Sequence, residues 1–230
     1  APVLKNFDGV AVVMFSDTPL VTAGTLTRLA ATLDDTVSVA VLGFDAADPT
    51  GYGRLITDHN GELTQIVEHK EATAAQRRIT LVNGGIMAVR CPQLFAFLEQ
   101  VQANNDNKEE IYLTDIVAIA AHAGKKVRYL ITDENEIAGV NDRADLARLE
   151  AILQTRLRNS AMQQGATLVA PETVFLSADT VIGKDVIIEP HVVIGPGVQI
   201  GEGSIIKSFS HIEGAKLGAC CVIGPYARLR

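Results

Sequence analysis

The feature of this sequence that most constrains its fold is a six-residue repeat near the C-terminus. Aliphatic residues recur at every sixth position, apart from one five-residue step between Ile212 and Leu217, and glycine often follows them. A period of six is not a multiple of the helical 3.6, and an ordinary strand alternates with period two. The repeat therefore predicts that residues 181–230 form a parallel β-helix, with the aliphatic side chains inside and with glycine and small residues at the corners. The aliphatic positions are Ile182, Ile188, Ile194, Ile200, Ile206, Ile212, Leu217 and Ile223.

The repeat also indicates how much of a solenoid the sequence contains. About eighteen residues make one triangular turn, so this segment supplies about three turns. Each turn buries its face only against a neighbour, and solenoids therefore need caps at their ends. The sequence stops at Leu229-Arg230, in the middle of a repeat. We therefore expect it to be part of a longer solenoid.

Residues 1–140 alternate strand-like and helical segments, which predicts an α/β domain. The apolar runs at residues 10–15 and 36–42 are typical of strands covered on both faces in a parallel sheet. A turn at residues 58–61 separates two short strand patterns, as in a β-hairpin. The further strand patterns cover residues 54–57, 63–68, 79–89 and 127–131.

The helices of this domain are predicted from their apolar spacing. Pro92 opens one helix, with Leu94, Phe95 and Leu98 on one face, and residues 111–123 show the spacing of another. A doubly wound domain normally opens with a strand and a glycine-rich phosphate-binding turn. No such turn precedes the first apolar run, so we expect the front of the domain to lie outside this sequence.

A long helical pattern at residues 141–164 connects the two parts. Asn141 is a suitable N-cap, and Gly165 ends the pattern. The predicted buried stripe consists of Leu146, Leu149, Leu153 and Leu157. The predicted division is a domain at residues 1–140, a linker helix and connection at 141–175, and a β-helix at 176–230.

Composition excludes several classes of partner. The net charge is −7 with no basic stripe, so nucleic acid is not expected to bind. No apolar run approaches the roughly 18 residues that span a membrane. The cysteines are odd in number and lack metal-site spacing, which favours reduced thiols in a cytoplasmic protein. They are Cys91, Cys220 and Cys221.

Asp17 is the first residue whose position suggests chemistry. It follows the apolar run at residues 10–15, and open α/β sheets bind ligands at the carboxyl ends of their strands. A carboxylate there is a good ligand for Mg²⁺, which takes one or two protein ligands and phosphate oxygens for the rest. Asp17 can equally start a turn before Pro19, so its position alone leaves both interpretations open.

An ordered set of motifs resembles one family of enzymes. Phe-Ser-Asp-Thr-Pro-Leu at residues 15–20 is similar to a motif of nucleotide-sugar pyrophosphorylases. The other motifs follow in the order and spacing of one branch, the bifunctional UDP-N-acetylglucosamine pyrophosphorylases/glucosamine-1-phosphate N-acetyltransferases. Single motifs such as Asn-Gly-Gly-Ile are weak, but the ordered set covers the whole chain and is specific. These further motifs lie at residues 48–54, 66–70, 83–86, 112–115 and 139–143.

The resemblance implies an architecture, cofactors and partners. It implies an incomplete Rossmann-like nucleotidyltransferase (pyrophosphorylase) domain, followed by the start of a left-handed parallel β-helix that belongs to an acetyltransferase domain. It also implies Mg²⁺ as cofactor, acetyl-CoA as co-substrate of the second domain and assembly as a homotrimer. The implied ligands of the first domain are UTP, N-acetylglucosamine 1-phosphate and UDP-N-acetylglucosamine (UDP-GlcNAc).

The same resemblance assigns roles to individual residues. Asp17 and Asn141 would bind Mg²⁺, Phe15 and Ser16 would line the nucleotide-sugar site, and Arg230 would contact the acetyltransferase site. The sugar would be bound by Gly53, Glu68 and Asn83. No residue is assigned as nucleophile or base.

Some of these residues also have simpler interpretations. Gly53 can be a turn residue, Glu68 a solvated edge charge and Asn141 only a helix cap. The sequence also departs from the family at two positions. Ser16 stands where glycine is usual, and Gly84 stands where threonine is common.

The expected reaction of the intact protein makes UDP-GlcNAc and pyrophosphate for cell-wall synthesis, with acetylation of glucosamine 1-phosphate in the second domain. We expect the sequence on its own to lack turnover, because a cation-bearing phosphate loop and most of the second site would lie outside it. Two alternatives remain open. One is a pyrophosphorylase for ADP-glucose or GDP-mannose with a β-helix, and the other is a non-catalytic module that trimerises.

Overall fold

A computed structural model describes residue 4 and residues 7–104 and 112–230. The chain divides into two compact units, Ala1–Asn141 and Asp142–Arg230. Their folds agree with the predicted class, because an α/β domain is followed by a parallel β-helix of hexapeptide repeats.

The first unit is built on one six-stranded sheet. The strands lie in the order β4-β3-β5-β2-β6, and β1 pairs with β5. Strands β2 and β6 are parallel, whereas every other described pair is antiparallel. The strands are β1 (Val10–Val13), β2 (Val37–Asp45), β3 (Arg54–Thr57), β4 (Leu63–Val67), β5 (Leu81–Arg90) and β6 (Lys126–Ile131).

The predicted hairpin and strand β2 are confirmed. β3 and β4 pair around the turn at residues 58–61, and every residue of β2 except Asp45 is buried. The prediction for residues 10–15 is wrong. β1 is short and antiparallel to β5, and 37% of Val12 is exposed. Among the described residues β1 has β5 as its only partner.

Helices α1 (Ala23–Ala31), α2 (Cys91–Asn104) and α3 (Asp115–His122) belong to this unit, with 3₁₀ turns at Gln76–Arg78 and Glu134–Glu136. The predicted face of α2 is only partly right. Leu94 is buried as predicted, but the other buried side chains of α2 are those of Phe97 and Val101. These three side chains pack in the same hydrophobic cluster as residues of α3. The start of the predicted helix at residue 111 lies outside the described residues, and α3 ends before Gly124 as expected.

The second unit opens with α4 (Arg143–Gln163). The predicted N-cap is wrong by one residue, because the Asp142 side chain accepts a hydrogen bond from the Asp145 backbone N–H at 2.8 Å. Gly165, with φ of 103°, follows the helix as expected. The predicted leucine stripe is only partly buried. Leu146 is 56% exposed.

The polar residue Gln154 explains part of this difference. It is buried, and its side chain exchanges two hydrogen bonds with the backbone of Leu176, at 2.7 and 2.9 Å. α4 therefore packs on the β-helix with a polar residue inside its contact face, which an apolar pattern cannot reveal.

The β-helix consists of two-residue strands in three parallel sheets, with a 3₁₀ turn at Pro171–Thr173. The inward direction of the aliphatic residues is confirmed, and Ile206 and Ile212 are fully buried. The ladder begins ahead of the repeats recognised in the sequence. Its strands are β7 (Thr167–Leu168), β8 (Phe175–Leu176), β9 (Val181–Ile182), β10 (Ile187–Ile188), β11 (Val193–Ile194), β12 (Gln199–Ile200), β13 (Ile205–Ile206), β14 (His211–Ile212), β15 (Lys216–Leu217), β16 (Val222–Ile223) and β17 (Arg228–Leu229).

The glycines that follow the aliphatic residues do not make the corners, apart from Gly224. They allow neighbouring turns to stack closely. A Cβ atom on Gly201 would lie 2.5 Å from the carbonyl carbon of Gly218. The corners instead use left-handed residues, most of them three positions after the aliphatic residue. These are Asp185, His191, Gly197, Gly203, Phe209, Gly214, Cys220 and Tyr226.

No helix in the described ranges is long and apolar enough to cross a membrane.

Candidate functional site

A cavity of about 450 Å³ lies in the α/β unit. It is bounded by the end of β1, the loop before β3, the middle of β5 and the segment before residue 142. Six of the residues that the sequence singles out line it, although they are spread over more than 120 positions of the chain. They are Phe15, Asp17, Gly53, Glu68, Asn83 and Asn141.

Two segments bring Asp17 and Asn141 to the same part of the cavity. The backbone N–H of Val140 donates to the Asp17 carbonyl at 2.9 Å. A Cβ atom on Gly139 would lie 3.9 Å from Oδ2 of Asp17, in ordinary van der Waals contact, so Gly139 lies next to this carboxylate. Carboxylate and amide oxygens are hard donors that suit Mg²⁺, and two protein ligands are typical when phosphates complete the shell. Among the residues that the structure describes, no group of three His, Cys, Asp or Glu side chains could hold a metal. The carboxylate of Asp17 and the amide of Asn141 are a donor pair that fits Mg²⁺ bound together with a phosphorylated ligand.

Glu136 connects the same two segments, although the sequence did not single it out. Its side chain accepts hydrogen bonds from the Thr22 backbone N–H, at 2.8 Å, and from the Thr132 hydroxyl. Burial raises the pKa of Glu136, but hydrogen bonds from Thr132, Thr25 and Thr22 outweigh burial and lower it to about 2. A buried carboxylate that is ionised at neutral pH thus joins the loop after Asp17 to the segment before Asn141.

A bulge in β5 presents Asn83 to the cavity. The register between β2 and β5 shifts between Leu42 and Gly43, so that Gly84 and Gly85 have no partner in β2. Gly85 has φ of 76°, and its backbone N–H donates to Oδ1 of Asn83 at 3.0 Å. A bulge next to an active site commonly redirects a side chain, and here it explains the two glycines after Asn83.

The ring of Phe15 lies against this bulge. A Cβ atom on Gly85 would come within 2.6 Å of the Phe15 ring. Most of Phe15 is exposed, so its side chain forms part of the cavity rim rather than part of the core.

Glu68 and Gly53 form another wall. A Cβ atom on Gly53 would lie 3.3 Å from Oε2 of Glu68, so this carboxylate packs directly on the Gly53 backbone. Oε1 of Glu68 accepts a hydrogen bond from the Thr114 hydroxyl at 3.1 Å. The Gly53 carbonyl accepts from the Asn83 backbone N–H at 2.8 Å. Glu68 is therefore held by neighbours on two sides and is not a solvated edge charge.

Two predicted residues lie elsewhere. Ser16 is exposed and is not among the residues that line the cavity. Arg230 lies in the β-helix unit, where its Nε is 3.1 Å from a carboxylate oxygen of Glu213.

Several cavity residues carried no predicted role. Thr114 and Gly139 belong to motifs that the sequence had shown, so their motifs were the available signal. Tyr52 packs edge-on against Phe44, with ring centroids 5.1 Å apart. Ile137 also lines the cavity, and only the folded structure brings it there.

Comparison with known proteins identifies the family. The family described as bacterial transferase hexapeptide (six repeats) matches residues 179–214. Over 227 residues the chain is 53% identical to the bifunctional protein GlmU of Xanthobacter autotrophicus and 48% identical to that of Hyphomonas neptunium. Each of these matches covers 99% of this chain. The chain belongs to the GlmU family.

The chain spans about half the length of the GlmU proteins it matches, 49% and 50% of these two. A solved structure of a nucleoside-diphosphate-sugar pyrophosphorylase from Vibrio cholerae is a more distant match. It has 11% identity and a TM-score of 0.43, and the match covers 61% of this chain and 55% of that chain. Likeness at this level carries no argument about function.

Proposed function

We propose that the protein containing this chain is a sugar-1-phosphate uridylyltransferase, which joins UTP and N-acetylglucosamine 1-phosphate to give UDP-GlcNAc and pyrophosphate. The α/β unit would supply the part of the site that binds the sugar and the metal. The observation that supports this most strongly is that motif residues as distant as Asp17 and Asn141 line one cavity. Family membership supports the reaction class.

The chemistry needs no covalent intermediate on the protein. An oxygen of the sugar phosphate attacks the α-phosphorus of UTP in line, and pyrophosphate leaves. Such a transfer depends on positioning and on charge stabilisation. Mg²⁺, when bound, would neutralise negative charge on the phosphate oxygens. Asp17 and Asn141 would hold it through their side-chain oxygens.

The sugar would be bound by the wall that contains Gly53, Glu68 and Asn83. A carboxylate accepts hydrogen bonds from sugar hydroxyls, and an amide both donates and accepts. Oδ1 of Asn83 already accepts from Gly85, so its NH₂ group is the part suited to an acetamido or hydroxyl oxygen. Phe15 would cover one side of the ligand.

The reaction can be tested on the full-length protein that carries this sequence. Pyrophosphate release should be fastest with UTP and N-acetylglucosamine 1-phosphate. Faster turnover of ATP with glucose 1-phosphate, or of GTP with mannose 1-phosphate, would overturn the assignment in favour of another pyrophosphorylase.

The metal ligands can be tested in the same assay. Asp17→Ala and Asn141→Ala should each lower kcat/KM by about 100-fold or more, because a lost ligand weakens the metal that stabilises the transition state. Asp142→Ala is the matched control, since this neighbouring carboxylate only caps α4. Near-normal rates for either site variant would contradict the metal assignment.

We further propose that the β-helix belongs to an acetyl-CoA-dependent glucosamine-1-phosphate N-acetyltransferase domain, that it assembles as a homotrimer and that the protein is cytoplasmic. The match to bacterial transferase hexapeptides supports the first point. Arg230, with Glu213 beside it, would contact that site. Acetylation of glucosamine 1-phosphate and a trimer mass in light scattering are the expected results, and a monomer at high concentration would exclude the assembly.

A further inference from the structure

Arg54 is the most deeply buried charged residue that the structure describes, and nothing in the proposed reaction uses it. Only 1% of the residue is exposed. It begins β3, directly after Gly53, and it does not itself line the cavity. Burying a guanidinium ion is costly unless its charge and its donors are satisfied, so its surroundings should explain why it is there.

The partners of Arg54 come from three separate segments. Nη1 donates to the Tyr52 carbonyl, and Nη2 donates to the Arg77 carbonyl at 3.2 Å. Nη2 is also 3.3 Å from Nδ1 of His69. Since arginine has donors only, Nδ1 of His69 is the acceptor in this contact.

The charge of Arg54 has no direct counter-ion. Within the described part of the chain, no carboxylate lies within 4.0 Å of it, and its Nε has no hydrogen-bond partner. An ordinary structural arginine would pair with a carboxylate. Here its hydrogen bonds go to backbone carbonyls and an imidazole, and its charge also helps to lower the pKa of the exposed Asp48 carboxyl. Two of the hydrogen-bond partners are next to residues of the cavity wall.

Those two partners flank the wall proposed to bind the sugar. Tyr52 precedes Gly53, and His69 follows Glu68. The Glu68 carboxylate packs on the Gly53 backbone, so a shift of either segment would change the shape of the wall. Arg54 joins the two segments from behind, through the two ends of one rigid guanidinium group.

We propose that Arg54 is a positioning residue, which fixes the Gly51–Gly53 loop against Glu68 and thereby sets the affinity of the site for the sugar phosphate. This inference rests on the proposed function of the same cavity. Lysine cannot replace it fully, because an ammonium group lacks the planar fork that reaches both segments.

The test uses the full-length protein with Arg54→Lys and Arg54→Gln. Both variants should raise KM for N-acetylglucosamine 1-phosphate by about tenfold or more, with less change in KM for UTP, because the sugar wall loses a charge-assisted contact. Arg54→Lys should be the milder variant. His69→Phe removes one contact only and should raise KM by a few-fold in the same direction, which provides a readout if the arginine variants fold poorly.

Leu29→Ala is the matched control, because Leu29 is fully buried in α1 and does not line the cavity. It should lower the melting temperature but leave KM for the sugar phosphate unchanged. An Arg54 variant that lowers the melting temperature while KM stays normal would overturn the proposal and leave a structural role only.

Hydrogen exchange separates this inference from the proposed function. In Arg54→Lys the backbone N–H groups of Tyr52 and Asn83, which hydrogen-bond around the loop, should exchange faster than in Leu29→Ala. If the wild-type protein makes no sugar nucleotide, the proposed function fails. The hydrogen-exchange rates of Tyr52 and Asn83 would then still show whether Arg54 positions the loop. Unchanged rates in Arg54→Lys would overturn the positioning role.

Discussion

The α/β unit and the β-helix unit are stabilised in different ways. In the β-helix every strand pairs with strands 17 to 20 residues away, as Ile188 does with Ile206 and Ile206 with Ile223. In the α/β unit Val10 pairs with Arg90, and the order of the strands is not the order of the chain. The β-helix repeats the same local contacts in each turn, whereas the α/β unit joins segments that are distant in the chain.

The two units also differ in what they bury. The interior of the β-helix is aliphatic, with Ser204 and Ser210 as small polar exceptions. Among its described residues the α/β unit buries two charged groups, Arg54 and Glu136, and both lie beside segments of the cavity. The distance between stacked turns therefore limits which residues the β-helix repeat can contain. The cavity of the α/β unit depends instead on buried charged groups that hold its loops in place.

The largest expected effect concerns stacking in the β-helix. Gly201→Ala should destabilise it by about 3 kcal/mol or more, because the new Cβ atom would meet backbone atoms of the next turn and cannot be accommodated by a side-chain movement. In the 230-residue chain Gly218→Ala, at the same repeat position, is the control, since the nearest contact of its Cβ atom there would be 3.9 Å. Thermal unfolding, with hydrogen exchange of residues 181–230 to locate the effect, should separate the two variants. Equal stability of the two variants would contradict the role of close stacking in the β-helix.

A second effect is expected at the buried carboxylate of the α/β unit. The pKa of Glu136 is lowered to about 2 from its ordinary 4.5. A lowered pKa stabilises the fold above pH 4.5, and this stabilisation is lost as the pH falls towards 2. Glu136→Gln should therefore cost about 2 to 3 kcal/mol at pH 7.

The pH dependence makes this prediction specific. Denaturant unfolding of the wild type and of Glu136→Gln should converge as the pH falls from 4.5 to 2. A difference that stays constant over this range would show that the ionised carboxylate is not what stabilises the two loops.

A smaller effect is expected at the start of α4. Asp142→Ala removes the N-cap that accepts from Asp145 and should cost about 1 kcal/mol, whereas Asp142→Asn should cost much less. Both are measured by thermal unfolding. Equal losses for the two variants would show that charge, rather than capping, is what Asp142 contributes.

The smallest effect should have the opposite sign. Cys220 occupies a left-handed corner with φ of 56°, and Gly203 occupies the corresponding corner one turn earlier. Cys220→Gly should stabilise the β-helix by about 0.5 kcal/mol, because relief of the left-handed strain slightly exceeds the entropy that glycine adds to the unfolded chain. Cys221→Gly, at a residue without positive φ, should destabilise it. Destabilisation by both would contradict the corner assignment.

The same difference explains what could be predicted from sequence. The repeat revealed the β-helix because each turn meets the same packing requirement, so one pattern recurs. The pattern did not distinguish the glycines needed for stacking from the left-handed corners, because both follow the aliphatic residue by one to three positions. Strands β7 and β8 escaped recognition because their segment lacks the glycine that usually marks a repeat.

In the α/β unit, the sequence identified the residues of the candidate site better than it identified how the strands are arranged. The motif residues Asp17, Glu68, Asn83 and Asn141 meet in one cavity. Arg54 ended the motif at residues 48–54 but received no role, and Glu136 gave no signal, because the value of a buried charge depends on partners contributed by distant segments. The antiparallel pairing of β1 with β5 was also missed, since an apolar run does not indicate the direction of the neighbouring strand.

The claim that the α/β unit carries a metal and sugar-phosphate site is tested most directly by electron paramagnetic resonance of bound Mn²⁺, used in place of Mg²⁺. With UDP-GlcNAc present, the chain should bind one Mn²⁺ ion, and Asp17→Ala should abolish this binding while Asp142→Ala leaves it intact. Unchanged Mn²⁺ binding in Asp17→Ala would contradict the assignment of this cavity.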